Sequence, residues 1–146
     1  MDCTYKTNKY NMPLLDIVGV SCFNTSFYSG FVFLEKEDEA SYIWALSAFK
    51  KTLESREPSV IMIDRELALM NAIKKVFPNT TNLLCIWHIE KHVLAHCKKH
   101  FDAEEFDNFM ASWINVASST TTTIFEYNWA EFELSYQAKK VALEYI

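Results

Sequence analysis

Val60-Ile61-Met62-Ile63-Asp64 is a continuous apolar run closed by a carboxylate, and it starts two residues after Pro58. A short run of this kind fits a strand buried on both faces, as in the parallel part of an α/β sheet. Downstream, Leu67, Leu69, Met70, Ile73, Val76 and Phe77 predict a helix over residues 65–76, stopped by Pro78-Asn79. Asn82-Leu83-Leu84-Cys85-Ile86 reads as a second buried strand, with a helix expected over residues 87–101. Strand, helix, strand, helix in this order points to the α/β class.

Working upstream, Leu14 to Cys22 and Tyr28 to Glu35 read as two strands joined through Asn24-Thr25-Ser26, a hairpin. Asp38 can cap a helix over residues 39–55, where Tyr42, Leu46, Phe49 and Leu53 share one face.

Downstream of residue 101 the pattern becomes purely helical. Asp102 with Glu105 forms a capping-box pattern. Phe106, Phe109, Met110, Trp113, Ile114 and Ala117 follow as an apolar stripe. Thr123 with Glu126 forms a second such box, ahead of a stripe of Phe125, Trp129, Phe132 and Tyr136. The expected division is an α/β core over residues 1–101 and a helical segment over residues 102–146.

Composition agrees with a folded chain. Half of the 146 residues are hydrophobic and only 2 are Gly and 3 Pro, which excludes disordered, collagen-like and low-complexity classes. No apolar run approaches the roughly 18–20 residues of a membrane span. The start, Met1-Asp2-Cys3-Thr4-Tyr5-Lys6, has no apolar signal core. Cys3, Cys22, Cys85 and Cys97 form no CxxC pair, so neither a disulfide framework nor a cysteine-rich zinc module is favoured. A reducing, intracellular compartment is the simpler expectation.

The net charge of −5 conceals an uneven distribution. Residues 65–101 hold 6 basic and 2 acidic side chains, against 6 and 9 in residues 1–64 and 2 and 8 in residues 102–146. Only the middle segment has the sign to face a polyanion; a solvated lysine-rich face is the plain alternative.

Several residues offer chemistry. Asp64 ends an apolar strand, where a carboxylate in an open α/β sheet is placed to meet a ligand. An Asp there also makes a helix N-cap. Asp2, by itself, reads as solvated. His88, His92, His96 and His100 recur at i, i+4 and share one broad helical face, and Cys85 adds a soft donor three residues earlier. An exposed histidine-rich face explains the same pattern. Cys85 with His88 could pair a thiol with a base, or Cys85 could pack against the sheet. There is no GxSxG, P-loop, HExxH or GxGxxG.

Taken together, four blocks resemble the catalytic domain of Mutator-like element (MULE) transposases. They are Asp2-Cys3-Thr4-Tyr5-Lys6-Thr7-Asn8 with Met12-Pro13-Leu14-Leu15 and Val18-Gly19-Val20; Ile61-Met62-Ile63-Asp64-Arg65-Glu66-Leu67-Ala68 with Val76-Phe77-Pro78; Leu84-Cys85-Ile86-Trp87-His88-Ile89; and Trp113, Ser119-Thr120 and Phe125 to Trp129. The resemblance implies an RNase H-like mixed sheet flanked by helices, followed by an all-helical insertion. It implies a DDE-type nuclease and DNA strand transferase that uses two Mg²⁺ or Mn²⁺ ions held by carboxylates. Asp2 and Asp64 match its first two catalytic, metal-holding acids. Cys85 and His88 match its C-x-x-H element, with a structural or DNA-handling role expected.

The implied partners are transposon-end and target DNA, in the nucleus, and the resemblance allows a homo-oligomer. No membrane or small-molecule substrate is implied. The family's third acid, a glutamate, has no matching segment; Glu126, Glu131, Glu133 and Glu144 lie in the expected insertion helices. The expectation is a fragment cut at both ends and inactive alone. The competing readings are a domesticated, non-catalytic DNA-binding regulator and a metal-binding module on the histidine helix.

Overall fold

A computed structural model describes residues 1–4, 8–54 and 56–146. Tyr5, Lys6 and Thr7 of the first block therefore lie outside the described residues. Two compact units form, Met1–Cys85 and Ile86–Ile146.

The first unit is a mixed α/β structure. Strands β1 (Asp2–Thr4), β2 (Leu14–Val20) and β3 (Ser26–Phe33) make an antiparallel sheet in that order. Helix α1 (Glu39–Thr52) follows, then β4 (Val60–Ile63), α2 (Leu67–Val76) and β5 (Thr81–Leu84). β4 and β5 pair in parallel, joined through α2 as a βαβ crossover. Met1, one residue before β1, donates its amine to the Met62 carbonyl of β4 at 2.7 Å, which ties the start of the first sheet to the second.

The hairpin, α1, β4, α2 and β5 were all legible as elements, with ends shifted by a few residues, but β5 is not the buried strand expected: Leu83 and Leu84 stay exposed and Asn82 is its half-buried residue. Asn24 sits in the hairpin turn with φ of 57°, a left-handed conformation that Asn tolerates better than most residues. Asp38 caps α1 as expected, its carboxylate accepting from the Ser41 amide at 2.8 Å.

The core lies on one side of the strands. Leu15 and Ile17 of β2 and Ile61 and Ile63 of β4 pack with Tyr42, Ala45 and Leu46 of α1 and Leu69, Ala72 and Ile73 of α2. Burying each large aliphatic side chain contributes about 1.5–3 kcal/mol. The expectation that β4 is buried on both faces is corrected here. Burial alternates along it, and Val60 and Met62 remain 51% and 48% exposed. α1 and α2 cover one face only, so a run that is apolar throughout serves a strand with one open side.

The second unit holds α3 (Ile86–Cys97), a 3₁₀ turn at Lys98–His100, α4 (Ala103–Ala117), α5 (Thr122–Ser135) and α6 (Lys140–Tyr145). Phe109 is its centre: its ring stands 4.5 Å from Phe101, 5.2 Å from Phe132 and 5.0 Å from Tyr136. Asp102 caps α4 through the Glu105 amide at 2.8 Å, as expected. The second cap is Thr121, which accepts from the Ile124 amide, and not Thr123. Phe132 is the buried residue of the α5 stripe, whereas Phe125 and Ile114 of α4 stay about half exposed. Val93 and Cys97 of α3 pack with this aromatic core, so α3 belongs to the helical unit by packing. Among the described residues, no helix is long and apolar enough to cross a membrane.

Candidate functional site

Asp2 is the first residue of β1, and its Cα partner across the antiparallel ladder is Asp16 of β2. The neighbours of Asp16, Leu15 and Ile17, are buried in the core. Side chains alternate along a strand, so Asp16 faces away from the core, and Asp2 opposite it shares that face. Asp2 is exposed and Asp16 half-buried.

Asp64 follows β4 directly. Ile61 and Ile63 point into the core while Val60 and Met62 point out, and the same alternation carries Asp64 to the open side. Its Oδ1 accepts from the Arg65 amide at 2.6 Å. The helix-cap role belongs to Glu66, whose carboxylate accepts from the Ala68 amide at 2.9 Å. Asp64 is thus not consumed in starting α2.

The Met1 amine lies by these groups. Burial holds its pKa below the usual amine value, and the charges of Asp2, Cys85 and Asp16 oppose that shift. Cys85 is half-buried at the end of β5, where its amide donates to the Ile63 carbonyl at 2.8 Å.

The remaining sequence candidates are placed separately. The half-buried His88 ring meets Trp87 edge-on, with centroids 4.8 Å apart. His96 stacks on Tyr145 at 4.2 Å, and its Nδ1 lies 2.8 Å from the His92 carbonyl. His92 is exposed and His100 half-buried. Among the described residues, no group of three or more His, Cys, Asp or Glu side chains could hold a metal ion. Glu126, Glu131 and Glu133 lie on α5, and Glu144 on α6.

Burial raises two thiols, Cys3 and Cys97. Burial, then a hydrogen bond with Glu37, pushes Cys3 up to about 12. Beside it stands Tyr42, wholly buried, whose hydroxyl is likewise raised above its ordinary value by burial. A thiol so raised stays protonated near neutrality and is a poor nucleophile.

Two features escaped the sequence reading. Asp16 was visible as a lone acid within the apolar strand Leu14–Val20, but only the ladder register puts it opposite Asp2. The second is Lys91, whose Nζ lies 4.0 Å from the centroid of the Trp87 ring. Their i, i+4 spacing was its sequence signal.

A mixed α/β unit with acids at the edge of its open strand face is the setting for comparison. Residues 1–92 match the MULE transposase domain, and the chain belongs to that family. Protein FAR1-RELATED SEQUENCE 5 of Arabidopsis thaliana is 31% identical over 90 residues, 62% of this chain and 11% of that protein. Protein FAR1-RELATED SEQUENCE 11 of the same plant is 28% identical over 138 residues, 92% of this chain and 20% of that protein. Protein FAR-RED IMPAIRED RESPONSE 1, also from Arabidopsis thaliana, is 26% identical over 88 residues, 60% of this chain and 11% of that protein. The chain thus spans a fifth or less of the length of these relatives.

Proposed function

We propose that this chain is the core segment of a MULE-type DNA strand transferase with an RNase H-like fold, in which Asp2 and Asp64 hold a divalent cation. One observation supports the reading: the Met1–Met62 bond, which ties the start of β1 to β4. On this reading the two sheets continue as β3-β2-β1-β4-β5. In a parallel pairing, an amide that bonds to residue 62 stands level with residue 63. If β1 and β4 pair in this way, Asp2 is level with Asp64 and the two carboxylates project from one face.

The donor set fits the group. Carboxylate oxygens are hard donors and suit Mg²⁺ or Mn²⁺. When bound, such ions polarise phosphoryl oxygens and generate a nucleophile at neutral pH. Asp2 and Asp64 would hold the cation, while α1 and α2, packed behind the sheet, fix the strands that carry them. With two protein carboxylates the binding is weak. Glu126, Glu131, Glu133 and Glu144 are not assigned as the third acid, and the chain by itself is expected not to transpose. Residues 1–101 are read as the family's core and residues 102–146 as its helical insertion, although α3, within the first span, packs with the helical unit. DNA is the partner and the nucleus the compartment.

A second reading is favoured by the relatives, one of which carries a far-red response in its name and not transposition. In it, the chain is part of a domesticated regulator that binds DNA without cutting it. Mn²⁺ titration followed by electron paramagnetic resonance separates the two. The catalytic-core reading expects weak binding that Asp64→Asn abolishes. Equal binding by wild type and Asp64→Asn, or none by either, leaves the regulator.

A further inference from the structure

Helix α3 and the turn after it present a face that the metal pair does not use. Val93 and Cys97 are the buried residues of α3. With about 100° between successive residues, the side of α3 away from Val93 and Cys97 carries Trp87, Lys91, His92 and Ala95, and Lys98 and Lys99 follow in the 3₁₀ turn, all exposed. Glu90 is the lone carboxylate between residues 86 and 100, and it lies half-buried towards the packed side. Among the described residues, none of these three lysines pairs with a carboxylate. In a chain of net charge −5, this is a cationic strip without internal neutralisation.

The strip also carries an aromatic platform. Trp87 is 52% exposed, and Lys91 stands over its ring at 4.0 Å. We propose that this face binds an unpaired stretch of DNA, with Lys91, Lys98 and Lys99 on the phosphates and Trp87 stacked on a base. Lys91 and Lys98 are seven residues apart, about 10 Å along a helix. That separation lets the two ammonium groups meet different phosphates of one strand. Exposed aromatics offer bases a stacking surface, but a duplex keeps its base faces covered, so Trp87 favours the unpaired form. An acidic peptide would use the lysines and leave Trp87 without a role. A lipid surface needs a continuous apolar face, and here only Leu94 joins Trp87 as an exposed large apolar residue on that side.

The assignment rests on the reading of DNA as partner, and it is independent of the Asp2–Asp64 cation. The test is fluorescence anisotropy of the whole chain with a labelled 20-nucleotide single strand, its duplex, and vesicles containing phosphatidylserine. Lys91→Glu/Lys98→Glu should weaken single-strand binding at least tenfold and flatten its salt dependence. The equally exposed control Lys36→Glu should leave it within twofold. Trp87→Ala should weaken single-strand binding about tenfold, in line with the usual worth of a base–aromatic stack, and leave duplex binding unchanged. The proposal is overturned by equal losses in the Lys36 control, by no loss in the Lys91/Lys98 variant, by equal effects of Trp87→Ala on single strand and duplex, or by tighter binding to vesicles than to DNA. Mn²⁺ binding that survives Asp64→Asn would refute the catalytic reading and leave this one standing.

Discussion

The Met1 amine reaches the Met62 carbonyl at 2.7 Å, and that bond ties the residue before Asp2 to β4, the strand that Asp64 follows. The amine is partly buried, so its pKa falls below the unfolded value of 8.0. The charged amine is disfavoured in the fold, so the unfolded chain binds more protons in this window. Stability therefore rises with pH up to about 8 and is lost as pH falls through the folded pKa. Urea midpoints between pH 6 and 8.5 should show this slope, and an Nα-acetylated chain, which keeps an N–H donor but cannot titrate, should show less of it.

Cys3 and Tyr42 act at the other end of the scale. Both resist ionisation in the fold, Cys3 up to about 12, whereas an unfolded thiol ionises near 9. Above pH 9 the unfolded state loses protons that the folded state keeps, so stability falls as pH rises. Iodoacetamide at pH 8 with peptide mapping should label exposed Cys22 first and leave Cys3 and buried Cys97 largely unmodified. Labelling of Cys3 as fast as Cys22 would contradict the burial described.

The cap of α2 distinguishes Asp64 from its neighbour. Glu66→Ala removes the bond to the Ala68 amide and should cost about 1 kcal/mol, the usual loss for a helix cap. Asp64→Asn keeps an acceptor for the Arg65 amide and should change stability by less than about 0.5 kcal/mol. Denaturant titration of both variants checks the contrast; the reverse order would return Asp64 to a capping role.

In the helical unit, Phe109 is fully buried among Phe101, Phe132 and Tyr136. Phe109→Ala should destabilise that unit by about 3–5 kcal/mol. Phe125→Ala, at a half-exposed site of the same expected stripe, should cost far less. Near-ultraviolet circular dichroism during unfolding reports both.

Much of this architecture was legible in the sequence because the signals were local. Pro58 and Pro78 bracket β4 and α2, Asp38 and Asp102 cap where they were expected to, and the hairpin follows from two apolar runs around Asn24. What was illegible depended on pairing. A run such as Val60–Ile63 cannot say whether one or both of its faces are covered, and the answer came from where α1 and α2 pack. Asp16 became a neighbour of Asp2 only through the β1–β2 register. In α5, Thr121 and Thr123 offer similar cap chemistry, and Thr121 starts the helix two residues earlier than the capping-box pattern suggested. The family blocks pointed to Asp2 and Asp64 ahead of any geometry, and one hydrogen bond ties Met1 to Met62 beside them.

Affinity cleavage tests most directly the proposal that Asp2 and Asp64 share a cation. Fe²⁺ substituted for Mg²⁺ generates hydroxyl radicals with ascorbate and peroxide, and these cut the backbone close to the bound ion. The account predicts cuts confined to the segments around residues 2 and 64, competed by Mg²⁺ and lost in Asp64→Asn. Cuts clustered on the histidine helix around residues 92–100, or an unchanged pattern in Asp64→Asn, would contradict it.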